Sequence, residues 1–309
     1  MPLRVNGERI DPSRPARELL RLCPELEERA KLLRSQPART VGPRGLLYVQ
    51  QREFAATTPK DGSISILGSD DATTCHLVVL RHTGSGAICL MHCDGSDTEK
   101  EVLLITNAVR ALSPNTEYGR LEVHLVGGFN DDRHLSQQLT HQLLRAFDRL
   151  QDDIHLVTFC VTELNDRQEK GNHFPYIYGI AANVKTGEIF HACFPDKGPE
   201  EDLRSASILT GAQMVNIYDS RKEQLCIGPY FWMPFPPANF WLDQDDQYLL
   251  QNLSTSPRAE PPHFISHIRA TLLCLKEHPF PDQTLFSSRK PWIYIKNEDG
   301  LWEKISDQI

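Results

Sequence analysis

Short β-type runs between residues 46 and 126 constrain the fold of this 309-residue chain more than any other feature. Apolar residues are concentrated in each run, and turn-forming residues separate most of the runs, which is typical of strands in a sheet. The runs are Leu46–Val49, Ser63–Leu67, His76–Leu80, Ala87–His92 and Leu121–Val126. Ile177–Asn183 and Glu188–Phe194 predict a second hairpin.

Helical patterns flank these strands. Between Ser13 and Arg34, apolar residues recur every three or four positions, which predicts an amphipathic helix interrupted near Pro24. Asp131 and Asp132 are expected to cap a second helix, and Ile154–Val161 then predicts a buried strand. Further predictions are a short helix at Pro199–Leu209, strands at Val215–Tyr218 and Leu225–Ile227, an ordered surface loop at Tyr230–Pro237, helices at Gln244–Leu253 and Pro262–Glu277, and a closing hairpin around Asn297–Gly300. This mixture predicts an α+β protein.

Charge and hydropathy exclude several classes of protein. The chain has 33 Lys and Arg against 41 Asp and Glu, a net charge of −8, which argues against a nucleic-acid binder. No apolar run approaches the ~18 residues that span a bilayer, so no membrane association is expected. The first residues lack the apolar stretch of a secretory signal, and eight irregularly spaced cysteines are typical of free thiols. We therefore expect a cytosolic protein, with the nucleus as the alternative.

The segment from Cys75 to His92 carries the most chemical information. Two β-type runs flank the turn at Thr83-Gly84, and a hairpin centred there places Cys75 opposite His92. Opposed side chains lie close enough for an imidazole to meet a thiol, which predicts a nucleophilic thiolate paired with an acid. The alternative is a cysteine buried for packing beside an unrelated histidine.

Other histidines and cysteines are expected to have structural roles. In a strand Cys89 and Cys93 point away from His92, so the three cannot bind one metal ion, and no metal or cofactor is expected. His76 and His82 are predicted to lie at the surface, and His124 to be a strand side chain. Gly127-Gly128 permits close approach of a neighbouring backbone, but the dinucleotide fingerprint is missing.

These residues resemble a known enzyme superfamily. Ser69, Cys75 and His92 together with Gly127-Gly128 are similar to the deamidases that include the bacterial CheD and the cytotoxic necrotizing factor toxins. Over nearly the whole length, the chain resembles the family of vertebrate N-terminal asparagine amidohydrolases. The segments that carry this resemblance are Leu46–Glu53, Gly62–His76, Gly119–Gly128 and Glu298–Ser306.

The resemblance implies a layered α-β-β-α sandwich of mixed and antiparallel sheets with covering helices. One domain over residues 1–309 is then expected, with a helical segment at about 13–35 and a catalytic hairpin at about 63–95. The implied reaction converts an N-terminal Asn of a protein to Asp with release of ammonia. The product would enter the arginylation branch of the N-degron pathway and lead to ubiquitin-dependent degradation. The implied partners are proteins or peptides that begin with Asn, and a monomer is expected.

The resemblance also assigns roles to residues. Cys75 is the implied nucleophile, His92 the proton carrier, and Ser69 the residue that positions His92 or the substrate. Ser69 is alternatively a turn residue that bonds to its own loop beside Gly68. The backbone N–H groups of Thr74 and Cys75 are candidate oxyanion donors.

A site for an N-terminal residue needs a carboxylate for the α-ammonium group. Asp70, Asp71 and Glu260 are the candidates, and each is alternatively a solvated loop acid. Two other functions remain open: a binding module that uses the aromatic Pro-rich loop, and a papain-like protease, in which Cys and His normally lie far apart in sequence.

Overall fold

The structure of the protein is a computed structural model that describes residues 3–114 and 118–305. The helices in these ranges are α1 Ala16–Leu22, α2 Pro24–Ser35, α3 Thr98–Ala111, α4 Leu135–Asp148, α5 Glu201–Leu209, α6 Pro237–Leu242, α7 Asp246–Leu253, α8 Phe264–Glu277 and α9 Pro281–Thr284, with a 3₁₀ turn at Thr162–Asn165. The strands are β1 Leu3–Val5, β2 Glu8–Arg9, β3 Arg39–Thr40, β4 Leu46–Tyr48, β5 Glu53–Thr57, β6 Ile66–Ser69, β7 His76–His82, β8 Ile88–Cys93, β9 Leu121–Gly127, β10 Ile154–Val161, β11 Asp166–Glu169, β12 Asn172–Pro175, β13 Ile180–Asn183, β14 Ile189–Cys193, β15 Val215–Asn216, β16 Tyr218–Asp219, β17 Gln224–Ile227, β18 Trp292–Lys296 and β19 Trp302–Lys304.

Two sheets form the centre of the protein. The larger has the strand order β15-β5-β8-β7-β9-β10-β1-β2 and mixes parallel with antiparallel pairs. The smaller has the order β3-β14-β13-β6-β4, and its strand β6 contacts β8 of the larger sheet. Helices α3 and α4 pack on the larger sheet, against β7 among other strands. The prediction of an α+β protein with mixed sheets and covering helices is confirmed.

The C-terminal third adds a smaller sheet and a group of helices. Strands β16 to β19 form an antiparallel four-stranded sheet. Helix α8 packs against α5, α6 and α7. A continuous apolar core includes residues from Leu3 to Tyr294.

Local signals predicted most elements near their observed bounds. The N-terminal helix is interrupted at Cys23 and restarts at Pro24, because proline is tolerated in the first turn of a helix but not in its interior. The Asp131 carboxylate accepts the backbone N–H groups of Leu135 and Ser136 at 2.9 Å, as expected for the start of α4.

Helix α3 and strand β5 are two elements that the sequence patterns did not predict. The β-branched residues in α3 weaken its helical signal, although Val102, Ile105 and Val109 form a buried stripe at helical spacing. Strand β5 is buried at all five positions, so it lacks the alternation that marks a half-buried strand.

The predicted register of the β7–β8 hairpin is wrong: the residue opposite His92 lies two positions after the predicted one. Leu77, not Cys75, lies opposite His92, and Cys75 precedes the first residue of β7. The hairpin closes through backbone bonds between His82 and Ala87, and the Ser85 side chain bonds within the turn. The turn is therefore centred between Gly84 and Ser85, one position further along the chain than the predicted centre.

The even-numbered face of β7 is not a surface. His76 is completely buried, and its Nε2 lies 2.7 Å from the Thr140 hydroxyl of α4. Burial lowers the pKa of His76 to about 4. His82, at the other end of β7, is half-buried. The surface prediction was wrong for His76 because helix α4 covers it, whereas His82 keeps part of its surface exposed.

Gly127, at the end of β9, holds the backbone before β7 in place. Its φ is +133°, and a Cβ added there would lie 2.6 Å from the carbonyl oxygen of Cys75. The close backbone approach expected at Gly127-Gly128 is thus an approach to Cys75 and, from Gly128, to the ring of His76.

Gly127→Ala should destabilise the protein and displace residue 75. Backbone strain costs about 1–3 kcal/mol, and the contact with the Cys75 carbonyl adds to it. Gly171→Ala is the control, because Gly171 also has a positive φ of +81° but nothing within 4 Å of its would-be Cβ. Chemical denaturation should show the larger loss for Gly127→Ala, and equal losses would contradict the close approach to Cys75.

Candidate active site

One cleft of about 610 Å³ collects most of the predicted site residues. Cys75 and His92 line it beside the open end of the β7–β8 hairpin, and Asp70, Asp71 and Glu260 line it as well. Ser69 is completely buried and bonds to His92. The volume of the cleft is within the range of small-molecule and peptide sites.

Ser69 fixes the tautomer of His92. The Ser69 hydroxyl donates to the carbonyl oxygen of Val49 at 2.6 Å. A hydroxyl has one hydrogen, so the 2.8 Å contact with His92 Nδ1 requires that Nδ1–H donates to Ser69. In the neutral ring, Nε2 then keeps its lone pair. The alternative of a serine that bonds only within its own loop does not describe Ser69.

The thiol and the imidazole are both uncharged at neutral pH. Burial raises the pKa of the half-buried Cys75 thiol, and the negative charge of Asp94 adds to the shift. Burial lowers the pKa of His92 to about 4. The thiolate–imidazolium pair that the hairpin geometry suggested is therefore not the resting state, because a water-poor site disfavours both charges.

The Asp70 carboxylate is bound by groups of the protein itself. Its carboxylate accepts the Tyr48 hydroxyl at 2.5 Å and the backbone N–H of Phe194 at 3.1 Å, and Lys197 Nζ lies 3.2 Å away. These partners use most of its acceptor positions.

Asp71 is held by two basic side chains. Lys197 forms an ion pair with it, and His263 Nε2 lies 2.8 Å from its Oδ2. Although burial acts in the opposite direction, the hydrogen bonds from His263 and Lys197 lower the pKa of Asp71 to about 2. Asp71 is therefore ionised, and its negative charge is already balanced by Lys197 and His263.

Glu260 differs from the other two acids. Its Oε1 accepts the Ser254 hydroxyl at 2.5 Å, and within residues 3–114 and 118–305 it has no ion-pair partner. Burial raises its pKa to about 7. Of the three predicted acids, Glu260 is thus the one without a basic partner among the described residues, so its carboxylate can pair with a cation from the substrate.

Thr74 connects the loop of Cys75 to the loop of Glu260. Its hydroxyl lies 3.2 Å from that of Thr255, and its carbonyl oxygen accepts the Ser136 hydroxyl at 3.4 Å. Thr74 and Cys75 both line the cleft, so their backbone lies at the rim of the site.

Three charged residues that were not predicted as site residues also line the cleft: Asp94, Arg52 and Lys197. Asp94 lies two positions after His92, and strand alternation could have placed it on the face of His92. Lys197 pairs with Asp70, 127 positions away, and Arg52 pairs with Asp94, 42 positions away. Local sequence patterns do not reveal contacts at such separations. His124, by contrast, is the strand side chain that was predicted, and its Nδ1 lies 2.8 Å from the Thr158 hydroxyl.

Comparison with known proteins identifies the family. The sequence model of "Protein N-terminal asparagine amidohydrolase" matches residues 36–304. Relatives with that name from Sus scrofa and Homo sapiens are each 66% identical over 306 residues, which is 99% of this chain and 98% and 99% of the relatives. One from Arabidopsis thaliana is 27% identical over 284 residues, 84% of this chain and 80% of the relative.

The chain belongs to the protein N-terminal asparagine amidohydrolase family.

Membership in the amidohydrolase family confirms the resemblance found in the sequence. In the part of the chain that the structure describes, no group of three or more His, Cys, Asp or Glu side chains is arranged to hold a metal ion. No helix in that part is long and apolar enough to cross a membrane.

The resting thiol of this amidohydrolase-family protein should react slowly with alkylating agents. Because the pKa of Cys75 is raised above the ordinary thiol value of about 8.5, we expect iodoacetamide labelling of Cys75 to be slow at pH 7 and to increase only at alkaline pH. His92→Ala should not shift this profile to higher pH, because it removes a neutral ring. Peptide mapping by mass spectrometry can follow Cys75 with the exposed Cys193 as the internal reference. Rapid labelling of Cys75 at pH 6–7 that His92→Ala abolishes would instead indicate a resting ion pair.

Proposed function

We propose that this chain hydrolyses the side-chain amide of an N-terminal asparagine, producing aspartate and ammonia, with Cys75 as the nucleophile. The observation that carries the proposal is the arrangement of one cleft: it brings together Cys75, a His92 whose Nε2 is free to accept a proton, and the unpaired carboxylate of Glu260. The family match adds the substrate, since the relatives are named for N-terminal asparagine.

The first half of the reaction forms a thioester. His92 Nε2 accepts the Cys75 proton as the thiol sulfur attacks the carboxamide carbon of the substrate. Backbone N–H groups of Thr74 and Cys75 stabilise the negative oxygen of the tetrahedral intermediate. The imidazolium then donates its proton to the departing nitrogen, which leaves as ammonia.

The second half restores the enzyme. His92 accepts a proton from water as the water oxygen attacks the thioester carbon. The carbon–sulfur bond breaks and the proton returns from His92 to the sulfur. The new β-carboxyl group loses the second proton of the water to solvent and becomes a carboxylate. Because the His92 ring is neutral at rest, it can accept the proton and release it again within each half-reaction.

Ser69 acts as a positioning residue for His92. By accepting Nδ1–H and donating to Val49, it holds the ring with Nε2 available. A partner of this kind behind a catalytic histidine fixes the tautomer and the orientation of the ring.

Glu260 provides selectivity for a free N-terminus. An ionised Glu260 pairs with the α-ammonium group, so N-acetylated and internal Asn are poor substrates. N-terminal Gln carries one more methylene, which moves its carbonyl away from a sulfur that is fixed relative to Glu260. Asp70 and Asp71 are less suited to this role, since Lys197 and His263 already neutralise them.

The proposed cellular role follows from the product. A protein that begins with Asp after deamidation is a substrate for arginylation and for ubiquitin-dependent degradation in the N-degron pathway. We place this activity in the cytosol, with the nucleus as the alternative, and propose a monomer that needs neither metal nor cofactor.

Incubation with a peptide that begins with Asn tests the activity. Mass spectrometry should show a gain of about one mass unit, whereas the N-acetylated, internal-Asn and N-terminal-Gln peptides should remain unchanged. Cys75→Ser should fold and lose nearly all turnover, because a hydroxyl is a weaker nucleophile. Cys193→Ser, at an exposed position, is the matched control and should keep full activity.

The remaining outcomes of this assay identify the alternatives. Cleavage of the peptide would indicate a protease, and an unchanged peptide would favour a binding module. Substantial turnover by folded Cys75→Ser would exclude Cys75 as the nucleophile.

The pH dependence should report Glu260. Its pKa is raised to about 7, so the carboxylate is charged above that pH and neutral below it. We expect kcat/KM to fall as the pH drops through about 7, well above the pKa of His92. Glu260→Gln should remove this acid limb and raise KM about 10- to 100-fold, since a hydrogen bond to a charged group is worth ~1.5–3 kcal/mol. An acid limb that persists in Glu260→Gln would assign the titration to another group.

A further inference from the structure

One carboxylate at the reacting end of the cleft has no part in the steps above. The last ladder pair of β7 and β8 is His76 with Cys93, so Cys75 and Asp94 are the next residues on the two strands. Both line the cleft. Asp94 also lies two positions beyond His92, which places the two side chains on one face if the strand direction continues. The register thus places Asp94 beside the nucleophile and the base.

Asp94 is fixed by its neighbours and keeps an acceptor position open. Its Oδ2 accepts Gln51 Nε2 and Arg52 Nε, both at 2.7 Å, and its Oδ1 accepts the backbone N–H of Ser96 at 3.0 Å. These bonds use three of the about four acceptor positions of a carboxylate. The nearby Ser96 hydroxyl does not take the fourth, because it donates its one hydrogen to Glu101 Oε1 at 3.0 Å. The side chain is only 11% exposed, so it is pre-oriented rather than mobile.

The electrostatic field at the reaction centre is negative despite Arg52. After burial, Asp94 has the largest influence on the pKa of Cys75, which it raises, and its effect exceeds the opposite effect of Arg52. The charge of Asp94 also raises the pKa of His92 and so opposes the effect of burial on that ring. A group that enters this corner therefore meets net negative charge.

Asn and Asp side chains have nearly the same shape and differ in hydrogen bonding and charge. The amide nitrogen donates two hydrogens, whereas an ionised carboxylate only accepts. Pocket shape alone cannot separate substrate from product, but a buried acceptor can, because it binds the donor and repels the anion.

We propose that Asp94 is the residue that distinguishes the substrate amide from the product carboxylate. Its Oδ1 accepts an N–H of the carboxamide and thereby turns the carbonyl carbon toward Cys75. After hydrolysis the new carboxylate faces the Asp94 carboxylate, and the repulsion promotes release of the product. This inference rests on the proposed function of the same cleft.

The test uses Cys75→Ala protein, which cannot turn the substrate over, and two peptides that differ only in a first residue of Asn or Asp. Isothermal titration at neutral pH should show that the Asn peptide binds at least about tenfold more tightly. Adding Asp94→Asn should bring the two affinities to within about threefold, because the new amide both donates and accepts. Glu201→Gln is the matched control: Glu201 lines the same cleft, pairs with His267 and carries the same charge, yet its loss should leave the ratio unchanged.

Two results would overturn the proposal. Equal binding of both peptides by Cys75→Ala protein would show that the site does not make this distinction, and this measurement needs no change at Asp94. Equal weakening of both peptides by Asp94→Asn would assign Asp94 to the α-ammonium group instead. A wild-type enzyme that does not convert the Asn peptide would refute the proposed function, whereas conversion with an Asn-to-Asp ratio insensitive to Asp94 would refute this inference alone.

Discussion

The buried hydrogen bond between Ser69 and His92 is the interaction around which the site is built. Ser69 belongs to the smaller central sheet and His92 to the larger one, so this bond joins the two layers at the floor of the cleft. Both side chains are buried, and an unpaired polar group at this depth would cost ~1–3 kcal/mol. The bond to Val49 completes the pairing and leaves one arrangement of hydrogens. Sheet packing and the tautomer of His92 thus depend on the same three groups.

A buried ion pair between Arg204 and Glu53 holds the turn that carries Val49. Arg204 of α5 is 1% exposed, bonds to Glu53 at 2.5 Å and donates to the carbonyl of Tyr48 at 2.9 Å. Tyr48 and Glu53 flank the turn that carries Val49 and Arg52. Removal of one partner of such a pair strands a buried charge, so the turn has little freedom to move away from Ser69.

Local sequence signals brought Ser69, Cys75 and His92 together as candidates because all three lie within one hairpin or in the strand and loop before it. The register was wrong because it was inferred from Cys75 facing His92, whereas the bonds of Ser85 close the turn one position further along the chain. His76 was misplaced because only tertiary structure reveals that α4 covers its face. The state of Cys75 also escaped prediction, since the burial that decides its pKa is a property of the folded cleft. Among the three candidate acids, the partners of Asp70 and Asp71 come from residues 197 and 263, which explains why sequence could not rank them.

The contact between Thr74 and Thr255 joins segments that are 181 positions apart in the chain. Ser69, Cys75 and His92 all lie in the first third of the sequence, whereas Glu260 lies in the last fifth. On a ribosome, the residues proposed to break the amide bond are therefore synthesised well before the residue proposed to recognise a free N-terminus. Under this proposal, discrimination among substrates becomes possible only when the loop of Thr255 and Glu260 has emerged and docked beside Thr74.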